Sequence, residues 1–190
     1  FISWTAWITI AGISVGVLSL VVVLSVMNGF ERELRKNIID TQSHIVLYRN
    51  EGGISDWENL KSKIKHVDSA IQEVLPTTYN EVLFIHEGRV QGGVLEGVHP
   101  DHVSAVRPIE GKKISGSQCY IGEELSLKLH LKSGDRVKVL SPSPRSSRLV
   151  ELEVAGIFQS GHYEYSSRYI YADLSFIQKH LGWGDRISAF

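Results

Sequence analysis

One group of residues has the side-chain types and spacing of a metal site. His99, Asp101 and His102 could offer two imidazole nitrogens and a carboxylate to a divalent cation. Pro100 lies inside this group, however, and a His-Pro-Asp sequence is typical of the start of a helix. We therefore predict no metal site here.

Two further stretches carry reactive side chains. Cys119 is the one cysteine of the chain, so it cannot form an intrachain disulfide, and no histidine partner can be named for it. It is predicted to be a small core residue beside a strand. The stretch 162–165 (His-Tyr-Glu-Tyr) follows a glycine and collects titratable and aromatic groups. It is predicted to be a solvated turn that packs its rings on a sheet.

The chain lacks the motifs of several enzyme classes. It has no G-x-x-x-x-G-K-[ST] loop for ATP, no G-x-S-x-G nucleophile elbow and no H-E-x-x-H zinc motif. The sequence therefore predicts no catalytic residue, no cofactor bound by this chain and no enzyme activity of its own. The net charge of −1 lacks the basic excess of a nucleic-acid-binding domain.

The first thirty residues contain no Asp, Glu, Lys, Arg or His, so all 20 Lys and Arg and all 21 Asp and Glu residues follow them. An α-helix needs about 20 apolar residues to cross a hydrocarbon core of roughly 30 Å. A signal peptide would need a basic segment and a shorter apolar core, and buried core helices rarely run so long without a charge. We predict that this segment spans a membrane.

Two features of the predicted helix concern its neighbours. Gly12 and Gly16 form a small-xxx-small pair, which either lets another helix approach closely or reflects how common glycine is in membrane helices. Beyond the span, an apolar stripe continues among charged residues. The stripe must face a partner helix, the domain that follows, or acyl chains. It comprises Met27, Phe30, Leu34 and Ile38, which share one helical face.

After the helix the patterns alternate between short strands and helices, which predicts an α+β fold with mixed sheets. Residues 1–40 are assigned to the transmembrane helix and its extension, and residues 41–190 to a mixed α/β domain with a possible second lobe at about 106–142. An exposed Ser- and Pro-rich connection is predicted at 141–148. Strands are expected at 43–48, 81–86, 89–98, 119–121, 136–140, 149–158, 168–172 and 186–190, and the turn Glu87-Gly88 predicts a hairpin of the second and third. Helices are expected at 55–66, 122–131 and 173–181, and a short one is expected to open at His99-Pro100-Asp101.

Several motifs resemble one family. The segment IAGISVGV at 10–17, followed by VVLSVMNGFEREL at 22–34, is similar to the first transmembrane segment of Lol-type lipoprotein-releasing ABC permeases. LEGVHP at 95–100 and VAGIF at 154–158 are also similar to that family. The resemblance spans the whole chain and is most specific in Met-Asn-Gly-Phe at 27–30.

This resemblance implies an N-terminal fragment of a permease with four transmembrane helices. The fragment would hold the first helix and a two-lobed, MacB-like periplasmic core domain, anchored in the bacterial inner membrane. Two permease chains, alike or different, would pair with two cytoplasmic ATPase subunits that bind ATP and Mg²⁺. The complex would extract lipoproteins from the membrane and pass them to a periplasmic chaperone. Rival functions are a mechanotransmitting permease of related architecture and a single-span anchored periplasmic binding module.

The resemblance also implies site residues. Met27, Phe30 and Leu34, with Ile38 as a fourth position, would contact the acyl chains of the lipoprotein. A chaperone would contact the loop after residue 140, which here is shorter than the hook of the chaperone-recruiting subunit. This departure leaves open whether the loop binds a chaperone. The loop residues concerned are Ser141, Pro142, Ser143, Pro144 and Arg145.

Overall fold

The computed structural model describes residues 2–41, 45–49, 52–100, 113–142, 147–160 and 162–190. The chain divides into two compact units, Phe1–His44 and Ile45–Phe190. Each unit has a separate role in the fold and is described by itself.

The first unit is one long helix, α1, at Ile2–Thr41. Its 40 residues extend about 60 Å at roughly 1.5 Å per residue. The described side chains, from residue 3 to residue 33, are all exposed. Ser3–Glu33 is long and apolar enough to cross a membrane by length and composition. The predicted N-terminal apolar helix is therefore confirmed, and its backbone continues without a break past the first charged residues.

The second unit is a mixed α/β domain whose described strands close into a barrel in the order β1-β2-β6-β3-β5-β4. This confirms the predicted α+β class. The strands are β1 (Thr77–His86), β2 (Arg89–Val98), β3 (Gln118–Gly122), β4 (Arg136–Ser141), β5 (Arg148–Phe158) and β6 (Tyr169–Asp173), and the helices are α2 (Trp57–Lys65), α3 (Glu123–Leu129), α4 (Tyr163–Arg168) and α5 (Leu174–Leu181).

Strand direction around the barrel is mixed. β1 and β2 form the predicted hairpin, and both turn residues, Glu87 and Gly88, have positive φ angles of 45° and 79°, as a tight two-residue turn requires. β2 pairs with β6 and β3 pairs with β5 in parallel. The pairs β6–β3, β5–β4 and β4–β1 are antiparallel.

The barrel interior is filled by alternate residues of the strands. On β1, Val82 and Phe84 point inward while Leu83 stays partly exposed, which is the period of two expected for a half-buried strand. Helices α3 and α5 add Leu125, Leu129 and Ile177 to the same cluster. Each large apolar side chain buried in this way stabilises the fold by roughly 1.5–3 kcal/mol.

Helix α5 is fixed at both ends. The Asp173 carboxylate accepts hydrogen bonds from the backbone N–H groups of Ser175 and Phe176 at 2.8 and 3.2 Å, which caps the first turn. After the helix, the Trp183 indole N–H donates to the Asn80 side-chain oxygen at 2.6 Å. This bond ties the C-terminal residues to the inside of β1, because Asn80 is buried there.

The C-terminal segment 186–190 joins two parts of the domain. Thr77 of β1 bridges Ala189 on one side, and Tyr48 bridges Ala189 on the other. Ile54 and Ile187 also bridge, through backbone hydrogen bonds of 2.7 and 3.1 Å. The strands predicted at 43–48 and 186–190 thus appear as short bridges in their described parts.

Three sequence expectations differ from the structure or fall outside it. In the described part of the possible second lobe, residues 113–142, the strands β3 and β4 belong to the barrel, and the lobe at about 106–142 stays a prediction. Residues 163–168 form helix α4, where a turn was predicted. The short helix expected after His99 falls on residues 101–112, which lie outside the described ranges.

Substitution of two neighbouring glycines of β2 tests how tightly the barrel is packed. A methyl group on Gly93 would overlap the backbone oxygen of Arg168 and lie 2.6 Å from the Phe84 ring, whereas one on Gly92 would meet only Leu83 at 3.9 Å. We expect Gly93→Ala to lower the free energy of unfolding by about 1–3 kcal/mol and Gly92→Ala to change it by less than about 0.5 kcal/mol. Urea unfolding of the purified chain in detergent measures both, and equal midpoints would contradict this packing.

Candidate functional site

The structure places only part of the possible metal group. His99 is described and half-buried, while Asp101 and His102 lie outside the described residues. Within the described ranges, no cluster of three or more His, Cys, Asp or Glu side chains could hold a metal ion.

Cys119 lies in the core, as predicted. It is fully buried on β3 among the barrel residues, with no disulfide partner. Burial raises the pKa of its thiol far above the ordinary value, and the nearby carboxylate of Glu153 raises it further. Both effects disfavour the thiolate, so this cysteine is not a nucleophile at neutral pH.

The aromatic stretch at 162–165 packs against the sheet. The His162 and Tyr165 rings lie 6.2 Å apart, and the Tyr165 and Tyr169 rings lie 5.0 Å apart. The predicted packing on the sheet is correct, but residues 163–168 form α4 instead of a turn. Ser166 and Ser167 of this helix are buried, and their hydroxyls donate to the backbone carbonyls of His162 and Glu164. These rings serve the packing of the domain.

The exposed face of α1 brings together four of the predicted residues. Gly12, Gly16, Met27 and Phe30 follow one another at intervals of 4, 11 and 3 positions, which return to one face of an α-helix. The side chains of Met27 and Phe30 are 67% and 63% exposed. A methyl group on either glycine would meet nothing within 4 Å. One stripe thus carries small residues first and large apolar residues after them.

The stripe continues along the helix backbone. Leu34 and Ile38 occupy helical positions 4 and 8 residues after Phe30, so the backbone places them at the same face. Their side chains lie outside the described residues. Charged residues begin at Glu31 on the other faces of the helix. The apolar face therefore continues beyond residues 1–30, the segment without charged residues.

The predicted loop is described only at its two ends. Ser141 is the last residue of β4 and pairs with Arg148 of β5, and Pro142 is exposed. Ser143, Pro144 and Arg145 fall outside the described residues. The Arg148 guanidinium donates to the backbone oxygen of His180 at 3.2 Å, which fixes the base of the loop to the end of α5.

The structure also shows a groove of mixed polar and apolar lining that the sequence did not predict. An open groove of about 480 Å³ runs between the segment 45–49 and helix α2. Leu47 and Tyr48 line one side, and Leu60 and Ile64 line the other. Alternation in the sequence predicted a strand at 43–48 but carried no signal for which of its edges is paired, because that pairing is made with residues more than 130 positions away.

Comparison with known proteins supplies a family. Residues 6–189 match the family model described as MacB-like periplasmic core domain. The chain is 28% identical over 179 residues to the lipoprotein-releasing system transmembrane protein LolC of Neisseria meningitidis serogroup B, and 27% identical over 179 residues to LolC of Xylella fastidiosa strain Temecula1. Both alignments cover 86% of this chain and 43% of the relative, so the chain spans less than half the length of these curated relatives.

Two solved structures are similar to the chain. The extracellular domain of the noncanonic ABC-type transporter YknZ from Gram-positive bacteria matches with a TM-score of 0.52 and 13% identity, covering 76% of this chain and 79% of that one. The periplasmic region of MacB from Actinobacillus actinomycetemcomitans matches with a TM-score of 0.50 and 13% identity, covering 76% and 70%. At this identity the likeness concerns the fold.

Cys119 offers a test of the buried core. Because the pKa of its thiol is raised, we expect almost no reaction with a maleimide at pH 8 in the folded chain, where an ordinary thiol is partly ionised. Reaction should become complete in urea. A Leu127→Cys variant, at a position 63% exposed on α3, provides the accessible control. Mass spectrometry measures both, and equal labelling of the two thiols in the folded chain would contradict the assigned core position.

Proposed function

We propose a function for this chain from one premise: the chain belongs to the MacB-like periplasmic core domain family. The resemblance to Lol-type permeases noted from the motifs is confirmed by the LolC relatives. We infer that the chain is the N-terminal part of an ABC transporter permease of the Lol or MacB type. In this assignment α1 is its first membrane helix, and residues 45–190 are a periplasmic domain.

The proposed activity is the extraction of lipoproteins from the inner membrane. A lipoprotein is held in the bilayer by its acyl chains, and each CH₂ group contributes roughly 0.8 kcal/mol. A chain of about 16 carbons is therefore held by roughly 13 kcal/mol. Extraction needs an apolar surface that replaces lipid before the chain leaves the bilayer, as well as a source of free energy.

The apolar face of α1 carries the proposal. Met27 and Phe30 are large, apolar and exposed on the same face of the helix, just where charged residues begin on its other faces. A membrane anchor needs no apolar stripe past the bilayer. A surface that receives acyl chains at the membrane boundary needs such a stripe. We assign acyl-chain contact to Met27, Phe30, Leu34 and Ile38, and helix packing to Gly12 and Gly16.

The free energy would come from other subunits. The chain has no phosphate-binding loop, so ATP and Mg²⁺ would bind to a cytoplasmic ATPase dimer that works with two permease chains. The second permease could be another copy or a related chain. A periplasmic chaperone would receive the lipoprotein. The loop that begins at Ser141 and Pro142 is the proposed contact for this chaperone.

A second candidate function is mechanotransmission without a lipid in the helix face. It is carried as the alternative because the family shown for this chain is the MacB-like periplasmic core domain family, which is not specific to lipoprotein release. In that case α1 would transmit motion to the domain and its stripe would pack against a neighbouring helix. The two functions differ in the contact made by the helix face that carries Met27. This face would contact acyl chains in lipoprotein extraction and a neighbouring helix in mechanotransmission.

A polar substitution in the stripe separates these functions. We expect Met27→Asn in the full-length permease to reduce ATP-dependent release of lipoprotein to the chaperone about tenfold, which corresponds to a loss of roughly 1.4 kcal/mol of apolar contact. Val26→Asn is the matched control, since Val26 is equally exposed, lies at the same depth and points about 100° away. Release from proteoliposomes containing the partner subunits is the measurement.

The outcomes have distinct meanings. Loss of release in Met27→Asn alone, with membrane insertion of both variants intact, supports acyl-chain contact. Equal release by both variants contradicts it. Loss of ATP turnover together with release, in both variants, would point to helix packing and hence to mechanotransmission.

A further inference from the structure

Two tryptophans lie in the first turns of α1. Trp4 and Trp7 are 78% and 71% exposed, and they are three positions apart, so both indoles lie on one side of the helix. Tryptophan is enriched where a membrane helix meets the head groups, because its ring is apolar and its N–H donates a hydrogen bond. This part of α1 therefore has the residue type expected at a membrane surface.

The next strongly polar side chain lies one hydrocarbon thickness away. Residues 8–27 carry no polar side-chain group larger than a hydroxyl, and Asn28 is the first residue after Trp7 with an amide or a charge. From Trp7 to Asn28 the helix rises about 32 Å at roughly 1.5 Å per residue, and the hydrocarbon core is about 30 Å thick. One position of the helix in the bilayer thus places Trp7 at one surface and Asn28 at the other.

Helix length alone also allows a second position. Residues 2–30 of α1 carry no charge, and they extend about 44 Å, which exceeds the hydrocarbon core by about 14 Å. The core could therefore enclose residues 11–30 instead. That position would hold Trp4 about 10 Å outside the hydrocarbon, beyond the head groups. It would also bury the Asn28 amide in hydrocarbon, where an unpartnered amide is unfavourable.

We propose that Trp4 and Trp7 anchor α1 in the head-group layer of the bilayer and thereby fix the depth of the helix. This inference rests on the proposed assignment of α1 as a membrane helix and is independent of the cargo. In the anchored position, hydrocarbon covers residues 8–27. Met27 then lies at the far edge of the hydrocarbon, and Phe30 lies about 5 Å beyond it.

This depth determines the surroundings of the apolar stripe. In the anchored position Phe30 lies among head groups, where an apolar ring gains by contact with another apolar surface. In the second position Met27 and Phe30 would lie inside the hydrocarbon, and the lipid tails would already cover them. The anchor does not touch this face, because Trp4 and Trp7 lie about 140° and 160° around the helix from Met27.

Quenching by brominated lipids measures the depth of the two indoles. The full-length permease is reconstituted with lipids brominated near the head group or near the acyl methyl end. The signal of the two rings is the difference from a Trp4→Phe/Trp7→Phe variant. We expect this signal to place them about 15 Å from the bilayer centre, at the edge of the hydrocarbon. Leu18→Trp in the same variant is the control and should report a depth near the centre, because residue 18 is the middle of 8–27.

Moving the anchor tests whether it sets the depth. Asn28→Cys should react with a membrane-impermeant maleimide on spheroplasts, and Leu24→Cys, one turn deeper, should not. The triple variant Trp4→Leu, Trp7→Leu, Ala11→Trp moves the anchor by one turn on the same side of the helix. We expect it to draw residue 28 about 6 Å into the bilayer and to abolish labelling of Asn28→Cys. Trp4→Tyr with Trp7→Tyr keeps interfacial rings and should keep the labelling.

Three results would overturn the proposal. The first is a depth of the two indoles near the bilayer centre, and the second is quenching by neither lipid, which would place them in water or against protein. The third is labelling of Asn28→Cys that persists when the anchor is moved. Each thiol variant is compared with its parent chain, in which Cys119 is buried. Neither experiment uses lipoprotein or ATP, so failure of the anchor is distinguishable from failure of lipoprotein release.

Discussion

A helix whose described side chains are all exposed, and which carries no charge from residue 3 to residue 30, cannot be stable in water. Its apolar surface requires hydrocarbon, and its backbone suits that medium because every interior amide is bonded within the helix. The Thr9 hydroxyl is also bonded within the helix, because it donates to the Thr5 carbonyl oxygen at 2.9 Å. A lipid bilayer supplies the hydrocarbon that this surface requires.

The barrel domain meets the opposite constraint. It buries its own apolar side chains in a closed sheet, and close contacts fix that sheet: Gly93 lets β2 approach Arg168, and the Asn80–Trp183 bond holds the C-terminal residues on β1. A domain with such a closely packed core has low compressibility, so we expect it to move as one rigid body.

Local chemistry explains which parts of this fold could be predicted. The span followed from composition, the β1–β2 turn from Glu87-Gly88, and α5 from the Asp173 cap. Closure of the barrel could not be read in the same way, because it depends on parallel pairs such as β3–β5, whose partners are about 35 residues apart and leave no periodic signal. Helix α4 was missed because its residues show no apolar period.

The candidate functional site could likewise be predicted only in part. The stripe of Met27 and Phe30 could be found from spacing alone, since one helix determines its own faces. What the stripe touches depends on chains that the sequence does not contain, and the resemblance to Lol-type permeases supplied that part. The groove beside α2 had no signal in the sequence, because the segment 45–49 is positioned by pairing with residues more than 130 positions away.

The most direct test of the central claim is site-specific photocrosslinking in native membranes, with a photoreactive residue at position 30 of the full-length permease. Val21 provides the comparison, because it is exposed and lies nine residues away, on the opposite face of α1. We expect cross-links from position 30 to an acylated lipoprotein, and we expect them to be lost during ATP turnover. We expect no such cross-links from position 21. Cross-links from position 30 only to a neighbouring helix would contradict acyl-chain contact by this face.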